Sequence, residues 1–391
     1  MALKTGSRGG VPPFIVMDVM KAAAERETSG AGVLHMEVGQ PSTGAPAAVI
    51  AAAKRALDED VLGYTLALGI APLRRRIAQH YGARYGLSVS AERVAVTTGS
   101  SAAFLLSFLA AFDPGDRVAI LRPGYPCYRN ILNALGIEAV EIPVGPATRF
   151  QPTPALLDQA GNALDGLLVA SPANPTGSML SAAELAELVA YCRERGIRYI
   201  SDEIYHGITF GQAAASALAY DDQVIVINSF SKYFSMTGWR LGWAILPEAL
   251  VRPFERLSQN LFISPPSLAQ HAALAAFDCA EELDRNVERY ARNRELLLAE
   301  LPKAGFDRLA PADGAFYLYA DVRRISNDSE ALCREMLQAT GVAATPGVDF
   351  DPVDGRAFVR FSFCGATEDM AEAARRLRHW LAEGGGPARS P

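Results

Sequence analysis

Between Arg93 and Leu246 the chain repeats one pattern: a short unbroken apolar run, then a stretch with helical spacing. The runs are RVAVTT (93–98), RVAIL (117–121), GLLVAS (166–171), IRYISD (197–202), QVIVINSF (223–230) and LGWAIL (241–246). Strands that are apolar on both faces must be covered on both faces. The pattern therefore predicts a mainly parallel sheet between layers of helices, an α/β fold. One connecting helix is marked at both ends. Ser181 and Glu184 form a capping-box pattern, and Gly196 supplies a C-terminal stop. This helix leads into the run that ends at Asp202.

At 391 residues the chain is too long for one ordinary core, and two domains are expected. After about Pro265 the texture changes. A long helical stretch (about 266–302) leads to GAFYLYADV and then to AFVRFSFCG, which suggests a smaller α/β domain. The first 45 or so residues are rich in Gly and Pro; they are expected to be irregular and to pack against that domain. The expected division is an N-terminal segment over 1–46, a large domain over 47–285 and a small domain over 286–391. The terminal GGGPARSP reads as a frayed tail.

Composition removes several classes of function. Half the residues are hydrophobic and 20% are charged, as in a globular protein with large cores. A net charge of −6 and a pI near 5.5 give no electrostatic case for nucleic acid. The five cysteines (Cys127, Cys192, Cys279, Cys333, Cys364) are scattered and form no C-x-x-C, so they read as reduced thiols of a cytoplasmic protein. The histidines are dispersed without metal-ligand spacing, and no metal is expected. The opening MALKTGSRGGVPPF has no apolar core of a signal peptide. No apolar run reaches the ~18 residues of a membrane span.

In a parallel α/β sheet, ligands bind at the carboxyl ends of the strands. Four of the apolar runs are followed there by polar groups: Gly99-Ser100-Ser101, Asn174-Pro175-Thr176-Gly177, Asp202-Glu203-Ile204-Tyr205, and Asn228-Ser229-Phe230-Ser231-Lys232. Each alone has a plainer reading. These are a capped helix start, a turn, a helix-capping aspartate and a solvated lysine, with Arg240 as a surface ion-pair partner. Together they describe a site for an aromatic cofactor bearing a phosphate and an aldehyde. A helix start at Ser100 and Ser101 offers N–H groups to a phosphate, Ser229 a hydroxyl and Arg240 a charged fork. Asp202 can pair with a protonated ring nitrogen. Asn174 and Tyr205 can donate to a ring phenolate. Lys232, kept neutral by nearby cations, becomes a Schiff-base nucleophile. This inventory fits pyridoxal 5′-phosphate (PLP).

In SPANPTG, SDEIY and SFSKYFSMTGWRLGW, in that order and spacing, the chain resembles the class I/II aminotransferases of PLP fold type I, on the bacterial aspartate and aromatic aminotransferase branch. The resemblance covers nearly the whole chain. It implies that Lys232 holds PLP as an aldimine and shuttles the proton, and that Asp202 binds the pyridine nitrogen. It places Asn174 and Tyr205 at the ring oxygen, and Ser100, Ser101, Ser229 and Arg240 at the phosphate. It implies that Tyr125 stacks on the ring and that Tyr64 reaches a phosphate in the partner subunit of a homodimer. Arg360, in AFVRFSF, corresponds to the arginine that grips the substrate α-carboxylate, with Gly39 and Asn174 beside it. Arginine is also the side chain built for a two-pronged carboxylate grip. By family position Phe14, Ile15 and Met17 line the substrate side-chain pocket.

Departures narrow the implication. Relatives often carry a glycine and a lysine where this chain has Ser100 and Ser101, and the usual G-x-P-x-F-x-T-P is here Gly39-Gln40-Pro41-Ser42-Thr43-Gly44-Ala45-Pro46. No arginine or lysine is assigned to a substrate's side-chain carboxylate, so strict aspartate specificity is not implied. The expected activity is ping-pong transfer of an amino group from an L-amino acid to a 2-oxo acid, with 2-oxoglutarate as acceptor. The alternatives within PLP chemistry are a C–S β-lyase or another carbanion-forming enzyme on the same fold. A regulator with an aminotransferase-like sensor would need a DNA-binding module, and none is visible. A serine acylase would use Ser229-Phe230-Ser231-Lys232 as S-x-x-K. Its K-T-G equivalent (Lys4-Thr5-Gly6) lies on the wrong side of that motif, and S-D-N is missing.

Overall fold

The computed structural model describes residues 3–161 and 163–386. The six apolar runs are strands of one seven-stranded sheet. Along the chain its strands are β1 (Val94–Thr97), β2 (Arg117–Arg122), β3 (Glu138–Pro143), β4 (Gly166–Ala170), β5 (Arg198–Asp202), β6 (Ile225–Ser229) and β7 (Gly242–Ile245). Their order in space is β1-β7-β6-β5-β4-β2-β3. β7 runs antiparallel to β1 and β6, and every other pair is parallel. β1, β4, β5 and β6 therefore end on the same edge.

Successive residues of a central strand feed opposite cores. In β6, Val226 joins the cluster on one face, while Ile225 and Ile227 join the cluster on the other. Each such side chain contributes ~1.5–3 kcal/mol by burial, which is why the pattern reads as unbroken apolar runs. β3 was not among those runs. It is one of the sheet's two edge strands and, unlike the other (β1), its sequence EAVEIP is only partly buried, so it lacks the signature of a strand covered on both sides.

The connecting helix runs Ala182–Arg195 and is capped as its sequence predicts. Ser181 Oγ accepts the Glu184 N–H, and Glu184 accepts the Ser181 N–H at 2.7 Å. Gly196 closes it in the left-handed conformation at φ 69°.

The smaller α/β part contains a four-stranded antiparallel sheet in the order Thr345–Pro346, Phe358–Ser362, Tyr317–Asp321, Arg308–Leu309. Leu34–His35 pairs in parallel with Val342–Ala343, which ties the N-terminal segment to this part. Two expectations need correction. The first 45 residues are not wholly irregular, because Ile15–Thr28 is an α-helix of 14 residues. The Gly and Pro residues lie at its flanks and leave IVMDVMKAAAERET free of both. The stretch 266–302 is not one helix either. Ser267–Ala273 passes into a 3-10 turn, and a new helix spans Ala280–Glu300. That helix places Leu283 in the large core and Tyr290 and Leu297 in the small one. Residues 387–391 of the GGGPARSP tail lie outside the described residues.

Candidate active site

Lys232 follows β6, close to where the N-terminal segment crosses the sheet edge. Its Nζ donates to the Gly39 carbonyl at 2.6 Å. A side chain at position 39 would collide with the Tyr317 hydroxyl, so only glycine brings that carbonyl within reach. Burial pulls the Lys232 ammonium down to about 8. The Arg360 and Arg240 guanidiniums push the same way, against Cys364 and Asp202.

Asp202 closes β5 and is buried. Its carboxylate accepts the Ile204 N–H at 3.0 Å and the Tyr128 hydroxyl. Burial pushes its pKa up to about 7, against those hydrogen bonds and the charge of Lys232. Among the described residues it forms no ion pair.

Arg360, on the strand Phe358–Ser362, is also buried, and among the described residues it too forms no ion pair. Nη1 donates to Asn174 Oδ1 at 3.0 Å, and Nη2 to Thr345 Oγ1 at 3.2 Å and to the Glu37 carbonyl. All three acceptors are neutral, and its Nε has no partner. Its guanidinium carbon lies 4.4 Å from the Tyr317 ring centre and 4.7 Å from that of Phe350. Accepting from Arg360 fixes the Asn174 amide, so its NH₂ remains as the donor. The Tyr205 and Tyr317 hydroxyls are 2.7 Å apart. Burial holds the Tyr205 phenol well above its ordinary value, so it keeps its proton.

The third charged feature is a helix start. Gly99–Ala111 begins with Gly99 at φ +73°, and Thr98 makes no side-chain cap. Its first-turn N–H groups are left for another acceptor. The Arg240 guanidinium lies against Gly99, in the space a side chain there would fill. Gly242 likewise lets β7 approach the Ser100 N–H.

These groups share one cavity of about 200 Å³. Gly39, Ser100, Ser101, Tyr125, Asn174, Asp202, Tyr205, Lys232, Arg240 and Arg360, all proposed from the sequence, line it. Two others do not. Ser229 lies one layer behind; its hydroxyl donates to the Leu241 carbonyl at 3.2 Å and to Ser231 Oγ at 2.9 Å, and Ser231 lines the cavity instead. Tyr64 is 84% exposed on the outside. Of the residues expected at the side-chain pocket, Phe14 and Met17 line the cavity, but Ile15 does not; Val16 and Met20 join them. Helical spacing puts 16, 17 and 20 on one face.

Sequence reasoning missed Tyr128, Tyr317 and Ser231. Tyr128 lies three residues after Tyr125, on the helix Pro126–Leu135, and that spacing is a usable signal. Ser231 sits beside Ser229 in the same motif. Tyr317 has no local signal, because it meets Tyr205 only through the fold.

The profile of the family "Aminotransferase class I and II" matches residues 31–377. The chain belongs to this family. It is 51% identical to a valine–pyruvate aminotransferase of Mycobacterium tuberculosis, over 97% of this chain and 99% of that protein. It is 31% identical to an aspartate aminotransferase of Sulfurisphaera tokodaii, over 97% of both. The crystal structure of an aminotransferase from Mycobacterium tuberculosis superposes with a TM-score of 0.96 at 51% identity, covering 98% of this chain and all of that one. Aspartate aminotransferase from Thermus thermophilus with maleate gives 0.91 at 30% identity, covering 97% of this chain and all of that one.

The protein is thus a PLP-dependent aminotransferase of fold type I, acting on amino acids and 2-oxo acids. The residues present fit the cofactor. A buried carboxylate that forms no ion pair among the described residues suits the protonated ring nitrogen, and an uncapped helix start beside Arg240 suits the phosphate. Among the described residues no cluster of metal-ligand side chains occurs, and no helix is long and apolar enough to cross a membrane.

Proposed function

We propose that this aminotransferase moves the amino group of an apolar, branched L-amino acid such as valine to a monocarboxylic 2-oxo acid such as pyruvate, in two half-reactions. One observation carries the reading. Beside Lys232 and Arg240, which serve the cofactor, the only cation lining the cavity among the described residues is Arg360, and the wall of Phe14, Val16, Met17, Met20 and Ile131 carries no charge. Arg360 can grip one α-carboxylate. A second carboxylate would be buried without a partner, at a cost of several kcal/mol. The naming of the Mycobacterium tuberculosis relative for valine and pyruvate points the same way. The acceptor expected from the resemblance, 2-oxoglutarate, carries that second carboxylate and is the competing reading.

PLP, when bound, supplies an electron-withdrawing ring that takes up the electron pair left at the substrate Cα. The chain's own residues do the rest. Asp202 keeps the ring nitrogen protonated, with Tyr128 holding the carboxylate in place. Asn174 and Tyr205 donate to the ring oxygen. The Ser100 and Ser101 amides, Ser231 and Arg240 would hold the phosphate end, with Ser229 acting through its hydrogen bond to Ser231. Arg360 orients the α-carboxylate, and Tyr125 covers the ring. Lys232 Nζ, its pKa lowered by burial, would take up the substrate Cα proton and carry it for the return transfer. Release of ammonia with no oxo-acid acceptor would support the lyase alternative.

Three coarser assignments belong to the same reading. The domain limits fall near residues 46 and 285, the latter within the helix that joins the two cores. The protein is a homodimer. Leu57, Val61, Tyr64, Leu66, Leu261 and Ile263 are exposed, and hydrogen bonds from Thr65 N–H to Ser264 and from Ser267 to Gly63 join their segments into one patch. Tyr64 would there reach the phosphate end of the second site. The five cysteines are free thiols, which supports a reducing compartment, the cytoplasm. Light scattering tests the dimer: a monomeric mass with full activity would exclude a shared site.

A further inference from the structure

The helix Ile15–Thr28 forms the apolar wall of the cavity, yet its own sequence does not cap it. Pro12, Pro13 and Phe14 precede its first residue, and Phe14 makes no side-chain cap. The cap comes from elsewhere. Asp349 Oδ1 accepts the Ile15 N–H at 3.0 Å, and Oδ2 accepts the Val16 N–H at 3.3 Å, across more than 330 positions of sequence. Asp349 is buried, at 2% exposure. A buried carboxylate on two first-turn amides satisfies orphan donors and sits at the positive end of the helix.

The segment that carries Asp349 also builds the carboxylate clamp. Thr345 accepts from Arg360 at 3.2 Å, and the Phe350 ring lies 4.7 Å from the same guanidinium. One short stretch, 345–350, therefore fixes two things at once: where the α-carboxylate is held, and where the wall facing the substrate side chain begins. Phe14, next to the cap, meets Tyr125 edge-to-face at 5.7 Å, which continues the wall towards the cofactor end.

We propose that Asp349 is a positioning residue for substrate selection: by capping the Ile15–Thr28 helix it sets the distance between Arg360 and the apolar wall, and so the size of side chain the site accepts. This rests on the apolar-donor reading above. Asp349 itself does not line the cavity.

The test uses the PLP-loaded enzyme and the first half-reaction alone, followed by cofactor absorbance, with valine, alanine and aspartate as donors. In the wild type valine is expected to react faster than alanine. Replacing a cap carboxylate typically weakens the helix start by an amount worth ~5-fold in an equilibrium. In Asp349→Ala the valine-to-alanine ratio of second-order rate constants is expected to fall about 5-fold, with a smaller fall in Asp349→Asn, which keeps one acceptor. Adding Met17→Ala to Asp349→Asn should give less than the sum of the two effects, because both act through the same helix. A role in stability alone would lower the melting temperature and slow all donors alike, leaving the ratio fixed. That result, in either soluble variant, overturns the proposal. A wild type that prefers aspartate to valine would instead overturn the apolar-donor reading, so the two failures are distinguishable.

Discussion

The floor of the cavity and its wall are built differently. The floor is made at the ends of β1, β5 and β6, where Asp202 closes its strand and Ser100 and Lys232 come three residues after theirs. The wall is made by the Ile15–Thr28 helix and the small sheet, whose pieces are joined by contacts such as Asp349 to Ile15, 334 positions apart. Floor residues handle the cofactor and the moving proton, which every substrate shares. Wall residues meet the part of the substrate that varies. Changes to the floor should therefore damage all substrates alike, and changes to the wall should alter the ranking among them.

The most damaging floor change is Lys232→Ala. It removes both the attachment point and the proton carrier, and turnover should fall by ~10⁴-fold or more with every amino acid. Reduction with borohydride should no longer fix PLP to the chain. Retained turnover would mean that another base serves. Arg360→Ala lies on the wall side but grips the α-carboxylate common to all donors. Loss of two charge-assisted hydrogen bonds should lower the amino-acid rate constant by ~10²–10⁴-fold. PLP binding should survive, as read from cofactor absorbance after dialysis. A variant that loses PLP instead would show that Arg360 belongs with the floor.

Tyr128→Phe removes only the hydroxyl that donates to Asp202. PLP affinity should weaken by about 10-fold, for a lost hydrogen bond to a charged group worth ~1.5 kcal/mol. The ranking of donors should stay the same, and a change in ranking would break the division between floor and wall. The gentlest probe is pH. A neutral amine attacks the PLP aldehyde, so capture of PLP by the cofactor-free protein should quicken as pH rises through about 8, the value to which burial pulls Lys232. Between pH 7 and pH 9 the neutral fraction rises about 10-fold and then levels. A rate still climbing at pH 10 would place Lys232 near the ordinary lysine value.

The same division explains what could be read from the sequence. Floor residues lie in short motifs behind apolar strands, so strand pattern and residue chemistry located Lys232, Asp202, Asn174 and the helix start at Ser100 together. The sheet was readable for the same reason, except edge strand β3, whose outer face meets water. Wall residues carry no such flag. Tyr317 meets Tyr205, and Asp349 meets Ile15, only after two distant segments pack. The Ile15–Thr28 helix was missed because the Gly and Pro residues at its flanks masked it. Ser229 shows a finer limit: the motif marks a serine at the phosphate end, but side-chain direction puts Ser231 into the cavity.

The donor and acceptor preference is the sharpest measurement to make. The rate constants kcat/KM should be compared for valine with pyruvate and for aspartate with 2-oxoglutarate, on the same preparation. An uncharged wall behind a single buried arginine should favour the valine–pyruvate pair by about 100-fold or more, since a second buried carboxylate without a partner costs ~3 kcal/mol. Equal rates, or a preference for aspartate and 2-oxoglutarate, would contradict it.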